Sequence, residues 1–562
     1  MKQQRLRLGD LLVSVGLITN EQLNEALAMQ KQSKDRLGKV LIDEGFITES
    51  QFIDALRMQL GIDFVDLGQI KINPEMVNLI PKGIAKKNGV VPVKVDKDTL
   101  YLAMKDPLNF MAIEEVRTAS RKRIVPLIAS ENGVEHAISA LYGNEGAARA
   151  IAEMKEEAGL SQTTQNIGDS DEMESSNAPT VKLVNSVIER AVTENASDIH
   201  IEPGSGDMNI RMRIDGRLHN ILQIPKELQE SVIARLKVMG RLDIAERRVP
   251  QDGRAAIKIK SKDIDLRLST LPTIYGEKIV IRILAKEEGM LDRAGIGIQG
   301  ADSQKIDRLI SHTSGVILIV GPTGSGKSST MYTLIKELRC EATNLITLED
   351  PVEYNIDGIT QVQINEKTGL TFASGLRSIL RQDPDIICVG EIRDGETAEI
   401  AMRAAMTGHL VISTMHTEDA VSAIDRLKDM GVAPFLIAGG IRGIISQRLM
   451  RKICPNCKTA YEPNEEEYQL AGIRQVPGQP LYHGKGCPMC FHSGFRGRTG
   501  VFEVLTFNEE LRSCVTQGKD KQELRQIIAK SGFVPMLANA DRLVRSGATT
   551  IDEIIRTISR ID

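Results

Sequence analysis

The chain has 562 residues, of which 41% are apolar, 26% charged and only 3% aromatic, with no Trp and a net charge of −4. That length predicts three or more domains, and the composition is ordinary for a soluble globular protein. Balanced charge and scarce aromatic rings argue against a dedicated nucleic-acid binder, which carries a basic face or stacking platforms. Met1 to Asp10 is charged and leads into no apolar core of the signal-peptide kind. No apolar run approaches the ~20 residues of a membrane helix. Seven cysteines without an export signal fit a reducing compartment. The expectation is a cytoplasmic protein, with any membrane association made through partners.

Residues 1–142 contain an internal repeat. Arg7-Leu8-Gly9 opens a stretch running through Gly16, Leu23 and Leu27 to Gln30. Arg36-Leu37-Gly38 opens a second, through Gly45, Phe52 and Leu56 to Gln59. Each copy spans 24 residues and the offset is 29. Apolar spacings of three and four predict short amphipathic helices, and two copies are too few for a solenoid. Residues 143–178 read as a flexible linker, since Ser161 to Ala178 is rich in Ser, Thr, Asn, Asp and Glu. Helical periodicity resumes at Val181. Alternating strands follow at Asn209–Ile214 and Ile264–Leu268, so 179–285 reads as a small α+β domain. Residues 286–302 read as a hinge. From 303 to 562, apolar strands alternate with helices, the pattern of an α/β sheet.

The run Gly315 to Val320 (GVILIV) suits a buried parallel strand. Gly321, Pro322, Thr323, Gly324, Ser325, Gly326, Lys327 and Ser328 follow at once and fit G-x-x-x-x-G-K-[ST], with Ser329 beyond. Glycines let backbone N–H groups wrap phosphate oxygens, and the helix starting near Lys327 aims its positive end at the same anion. Lys327 is expected to reach the β- and γ-phosphates of ATP, and Ser328 to ligate Mg²⁺. Ile386 to Glu391 is a second apolar strand ending in an acid placed to hold Mg²⁺ through water. Thr347 to Glu353 supplies further carboxylates for orienting the attacking water. His409 and His416 flank the strand Leu410 to Thr414; a histidine so placed serves either structure or the phosphate site.

Cys454-x-x-Cys457 and Cys487-x-x-Cys490 leave 29 residues between two knuckles, a zinc pattern. Four thiolates close a tetrahedral shell with no position open to substrate, so this zinc is expected to be structural.

Beyond the phosphate loop the boxes ITLEDPVEY (346–354), LRSILRQDPDIICVGEIRD (376–394) and GHLVISTMHT (408–417) follow in order. The smaller domain carries ASDIHIE (196–202), RMRIDGRLH (211–219) and LDIAERRVPQDGR (242–254). In these residues, across 179–562, the chain resembles the ATPases of type II secretion and of type IV pilus extension. The resemblance implies a multidomain architecture: an α-helical and α+β N-terminal domain, an α+β, PAS-like middle domain, and a RecA-like α/β P-loop ATPase domain with a zinc-binding insertion at 451–493. It implies a homohexamer with ATP between subunits, working against an inner-membrane platform protein without direct nucleic-acid binding. Glu349 would be the base or water-orienting residue and Glu391 the Mg²⁺ acid. His409 and His416 would sense the γ-phosphate, and arginines of the smaller domain would act across an interface. Arg213 and Arg235 are the candidates; surface ion pairing is their structural alternative. Glu418 stands where this family often carries Asn. A long N-terminal region and four cysteines point to an assembly motor rather than a retraction motor. Pilus assembly is the favoured machine and type II secretion the alternative.

The two RLG…Q copies resemble the cyclic di-GMP-binding N-terminal domain of some of these ATPases. By that resemblance Arg7, Leu8, Gly9, Gln30, Arg36, Leu37, Gly38, Gln59 and Asp106 would contact the dinucleotide. The chemistry is apt: arginine pairs with guanine O6 and N7 or stacks on the ring, and glycine lets backbone approach phosphate. The alternative is a helical docking domain with duplicated packing motifs. Phe46 and Phe52 stand where the family has aliphatics.

Overall fold

The computed structural model describes residues 8–33, 178–259, 262–285 and 292–558, and parts of 37–154. Contacts divide it into two units, the first chiefly Met1–Ala255 with Arg267–Arg282, the second chiefly Ile283–Lys485 with Gly494–Asp562.

In the first unit the repeat is a packing device. Helix Asn20–Ser33 follows helix Leu8–Ser14. Its entry is fixed by a capping box: the Thr19 hydroxyl accepts from Gln22 N at 3.2 Å, and the Gln22 side chain accepts from Thr19 N at 2.9 Å. Leu12, Ile18 and Ala26 are buried in one cluster with Leu41, Ile47 and Ala55, each pair related by the 29-residue offset. Leu17 with Phe46, and Leu23 with Phe52, pack against it at the same offset, so the phenylalanines are accommodated as core edge. Gly16 at φ 76° and Gly45 at φ 72° turn the chain at equivalent points, a left-handed conformation that favours glycine.

Three strands follow, Val90–Asp96, Thr99–Met104 and Arg123–Ile128, paired antiparallel and then parallel. Helices Lys82–Asn88, Phe110–Ser120 and Glu131–Tyr142 accompany them. Residues 155–177 of the expected linker lie outside the described residues. Within its first part Ala147, Ala150 and Met154 are buried. The middle domain starts on helix Pro179–Thr193, with Pro at its first turn. Six strands form its sheet, in the order Arg217–Ile224, Met208–Ile214, Asp198–Glu202, Gly276–Ala285, Lys262–Thr273, Gln251–Ile259. Met208–Ile214 alternates buried and half-buried, as a one-sided antiparallel strand does.

The second unit is built on a seven-stranded sheet in the order Thr360–Gln363, Leu345–Glu349, Ile386–Val389, Leu410–Met415, Gly315–Val320, Ile441–Ile453, Phe495–Thr506. All neighbours are parallel except the last pair. Gly315–Val320 is buried throughout. Val316, Leu318 and Val320 enter the core on one face, and Ile317 and Ile319 the core on the other. A strand covered on both faces must read as an unbroken apolar run, which is why this one does. Of the expected hinge, 286–291 lie outside the described residues, and Arg293–Ile296 is a short helix. No helix among the described residues is long and apolar enough to cross a membrane.

One buried ion network fastens the C-terminal helices to the sheet. Glu553, fully buried, accepts from Arg451 Nε at 3.0 Å and its backbone N at 2.9 Å, and from Arg556 Nη2 at 2.7 Å. Burial alone would raise its carboxyl, but Arg556 and Arg451 outweigh it and hold the pKa at about 2. A depressed carboxyl stabilises the fold above its unfolded pKa, so this contribution is intact at neutral pH and is lost as pH falls toward 2. Glu553→Ala strands Arg451 in the interior, which costs about 3–5 kcal/mol. Urea unfolding at pH 7 is expected to show the C-terminal unit's transition shifted by that amount, and an unshifted midpoint would show the network to be idle.

Candidate functional site

The phosphate loop leaves the end of Gly315–Val320 and enters helix Lys327–Leu338. Gly326 caps that helix at φ 89° without any side-chain acceptor, so the first-turn N–H groups stay available. A Cβ on Gly321 would lie 2.5 Å from Gln447 O, and one on Gly326 2.8 Å from Gln447 Nε2. The Ser325 hydroxyl is buried without a hydrogen-bond partner. An orphaned buried hydroxyl, uncapped helix N–H groups and a backbone cradle are what an anionic phosphate group satisfies. Ser328 and Ser329 sit half-buried in the helix's first turn, and Pro322, Thr323 and Gly324 are exposed.

Lys327 is buried, with Nζ donating to Gly321 O at 2.9 Å and to Pro322 O at 3.1 Å. It also lies 3.3 Å from His416 Nδ1, while His416 Nε2 lies 3.3 Å from Glu391 Oε2. An ammonium only donates and a carboxylate only accepts. The arrangement therefore suits Nδ1 of His416 as acceptor toward Lys327 and Nε2 as donor toward Glu391. Glu391 also accepts from Arg393. The structure thus brings together Lys327, His416 and Glu391. It also encloses Glu349: its Oε1 accepts from Thr347 at 2.6 Å and Gln361 at 3.2 Å, and its Oε2 from the Tyr332 hydroxyl. Three of about four acceptor directions are filled. Burial and then the hydrogen bond to Glu349 push the Tyr332 phenol well up, so it stays a donor.

His409 is not in this group. Gly315 pairs with Leu410 and Val320 with Met415, so His409 and His416 stand at opposite ends of one strand. Six residues at a rise of ~3.3 Å separate the ends by about 20 Å. His409 Nδ1 lies 2.9 Å from Ala404 O, and its carbonyl accepts from Gly315 N at 3.1 Å. In the middle domain, Arg213 donates to Gly216 O at 3.0 Å and lies 3.7 Å from Asp198. Arg235 is half-buried with its Nε unpartnered. Of the residues expected to contact a dinucleotide, Arg7, Arg36, Gly38 and Gln59 lie outside the described residues. Leu8 begins the first helix. Gly9 is buried, and a Cβ there would lie 2.7 Å from Leu23 Cδ1, so close helix packing explains that glycine. Gln30 and Leu37 are half-buried, and Asp106 accepts from Leu108 N at 3.1 Å.

Sequence reasoning missed Gln447 and Arg448. Gln447 accepts from Thr330 Oγ1 at 2.6 Å and donates to Ser325 O at 2.7 Å, clamping the loop from the next strand. Arg448 is buried and donates to Glu418 O at 2.7 Å. Their signal was the polar triplet Ser446-Gln447-Arg448 between the apolar pairs Ile444-Ile445 and Leu449-Met450.

The antiparallel pairing of Ile441–Ile453 with Phe495–Thr506 brings the two knuckles together. The sulfurs of Cys454, Cys457, Cys487 and Cys490 all lie within 4.8 Å of one another, and Cys487 and Cys490 are 3.7 Å apart. Tetrahedral zinc with Zn–S of ~2.3 Å sets sulfurs about 3.8 Å apart. Cys487 N–H donates to Cys490 Sγ at 3.2 Å. The donor set fits a closed zinc shell. Beside the cluster, the His483 and Tyr461 rings pack with centroids 4.6 Å apart and planes tilted by 46°.

A buried parallel strand, a phosphate loop and a convergent Lys, Glu and His define a P-loop ATPase. The family model "Type II/IV secretion system protein" matches residues 173–556, and "MshEN domain" matches 60–148, beyond both RLG copies. The chain belongs to the type II/IV secretion system protein family. It is 39% identical over 558 residues to "Type IV pilus assembly ATPase PilB" of Myxococcus xanthus, covering 98% of each chain. It is 41% identical over 508 residues to the PilB of Thermus thermophilus, covering 89% of this chain but only 56% of that longer one. "Type II secretion system protein E" of Pseudomonas aeruginosa is 38% identical over 85% of this chain and 95% of its own. Among solved structures, the Yersinia pseudotuberculosis ATPase DotB shares the fold at TM-score 0.53 and 21% identity, over 71% of this chain and 97% of that one.

Burial depresses the Lys327 ammonium to about 8; Arg448 adds to the effect and Glu391 opposes it. Phosphate favours the charged form, so binding ATP at pH 8 is expected to draw about half a proton onto Lys327. Uptake falls toward zero at pH 6, where the amine is already charged. Calorimetry in two buffers of different ionisation enthalpy measures this, and a buffer-independent heat at pH 8 would show that Lys327 is already charged without ligand.

Proposed function

We propose that the chain is the ATP-hydrolysing subunit of a homohexameric motor for type IV pilus assembly. The observation that carries this is the end-to-end likeness to a pilus assembly ATPase, N-terminal region included. In this reading the protein is cytoplasmic and works at the inner face of the membrane through an inner-membrane platform protein. Gly321 to Ser329 hold the phosphates, Lys327 neutralises them, and Ser328 and Glu391 hold Mg²⁺, which supplies charge stabilisation. Glu349 has one acceptor direction left with which to orient water. His416 links the lysine to the acid and is placed to register the γ-phosphate; His409 serves the far edge of the sheet. Arg213 and Arg235 are offered as residues acting on a neighbouring subunit's nucleotide. Cys454, Cys457, Cys487 and Cys490 hold one structural zinc. The segment 286–302 is the hinge about which the middle domain moves.

A second reading, the same motor serving type II secretion, is favoured by the likeness to secretion ATPases across nearly their whole length. A deletion strain complemented with wild type or Lys327→Ala separates them, with surface pili and secreted proteins scored side by side. The expected outcome is loss of pili with secretion intact, restored by wild type alone. Lost secretion with pili intact would transfer the motor to the other machine, and full ATPase activity in purified Lys327→Ala would overturn the site.

Regulation by cyclic di-GMP is part of this proposal. It is supported by the two equivalent RLG copies, which suit a ligand made of two equivalent halves, and by the chemistry of Arg7 and Arg36. The competing account, pure packing, already explains Gly9. Titration of the full chain with cyclic di-GMP is expected to show binding that falls at least tenfold in Arg7→Ala and in Arg36→Ala. Undiminished binding in both variants, or none by wild type, would leave the repeat as a packing motif.

A further inference from the structure

The edge of the nucleotide sheet opposite the phosphate loop carries a cleft of about 580 Å³. Ser314, immediately before the strand Gly315–Val320, forms one wall; Arg442, at the start of Ile441–Ile453, and Phe507, just past Phe495–Thr506, form others. Arg308, His312 and Arg512 complete a basic lining, with Leu309 and Phe507 as its apolar part. Among the described residues, no carboxylate lines the cleft.

The arginines are set in place by backbone. Arg442 donates from Nε to Ser314 O at 2.9 Å and from Nη1 to Gly439 O at 3.2 Å. Arg512 donates from Nη2 to Ile441 O at 2.8 Å and from Nη1 to Ala438 O. Capping the last carbonyls of helix Pro434–Gly440 accounts for these two side chains. It does not account for Arg308, an exposed arginine with no ion pair among the described residues, nor for His312 beside them. Burial and the Arg442 charge lower Arg512, and burial with both arginines lowers His312. Like charges lean on each other here with no acid between them.

Arg442 and Arg512, held this way, supply fixed positive charge, and the exposed Arg308 can offer its guanidinium fork to phosphate oxygens. The volume falls within the ~300–1,000 Å³ of small-molecule sites, more than one phosphate fills. We propose that this cleft is a second anion site, distinct from the phosphate loop, which takes a phosphorylated small molecule of roughly mononucleotide size. Its phosphates meet Arg308, Arg442 and Arg512, and its less polar part lies against Leu309 and Phe507.

Inorganic pyrophosphate, titrated calorimetrically into the full chain, tests this. Wild type is expected to show a class of sites that survives Lys327→Ala and weakens at least tenfold in Arg308→Gln, with ATPase turnover unchanged in the latter. Thr506→Asp, which puts a carboxylate on the cleft's exposed rim without touching the arginines' carbonyl bonds, is expected to weaken the same class. Binding abolished by Lys327→Ala alone, or indifferent to both Arg308→Gln and Thr506→Asp, would overturn the site.

Discussion

Gln447 ties the phosphate loop and the first turn of the helix that follows it to the neighbouring strand. Its amide oxygen receives the Thr330 hydroxyl from the helix, and its amide nitrogen gives a proton to Ser325 O in the loop. Both bonds are buried, so losing either leaves a polar group unpaired in the interior, which costs about 1–3 kcal/mol. Gly321 and Gly326 lie against the same residue, which leaves no room for a Cβ at either, whereas Gly324 is held to glycine by its φ of 76°. The loop is thereby shaped before any anion arrives, and the ordering entropy is settled in folding rather than in binding.

The chemistry of the loop then follows from its enclosure. Burial disfavours the Lys327 charge, and the carbonyls, the His416 imidazole and the Glu391 carboxylate around it work in the opposite direction. His416 is the hinge of this polarity: it accepts from one side and donates to the other, and a second proton on it would turn Nδ1 against the lysine. Glu349 is sequestered on the strand next to that of Glu391, its orientation fixed by Tyr332. The two acids of the site are thus differently held, one beside a histidine and an arginine, one in the core.

What the sequence made legible is what is local in it. The phosphate loop, the strand before it and the helix after it are contiguous, and a strand buried on both faces announces itself by composition. The cysteine knuckles are likewise local, and their distant meeting follows from one antiparallel pair. The 29-residue repeat was readable as a period but not as a use, because the same apolar spacing serves a shared core whether or not a ligand is present. His409 and His416 were paired because they flank one strand beside the phosphate loop; the extended strand between them puts only His416 at the loop's end. Gln447 escaped notice for the opposite reason, lying more than a hundred residues from the loop that it clamps and joined to it only by strand pairing.

The strand Ile441–Ile453 has a consequence of a mechanical kind. At a rise of ~3.3 Å per residue its thirteen residues make a rod about 40 Å long. Gln447 lies near its middle, Arg442 near one end, and Cys454 follows directly on the other. The cysteine knuckle thus clamps the far end of the beam whose middle shapes the phosphate loop. Stiffness of this sort is what a machine needs between the point where a small chemical step occurs and the points where it is felt. A shift of the loop meets no soft joint, because the strand is paired with Phe495–Thr506 from Gly443 to Ile453 and with Gly315–Val320 from Ile441 to Ser446.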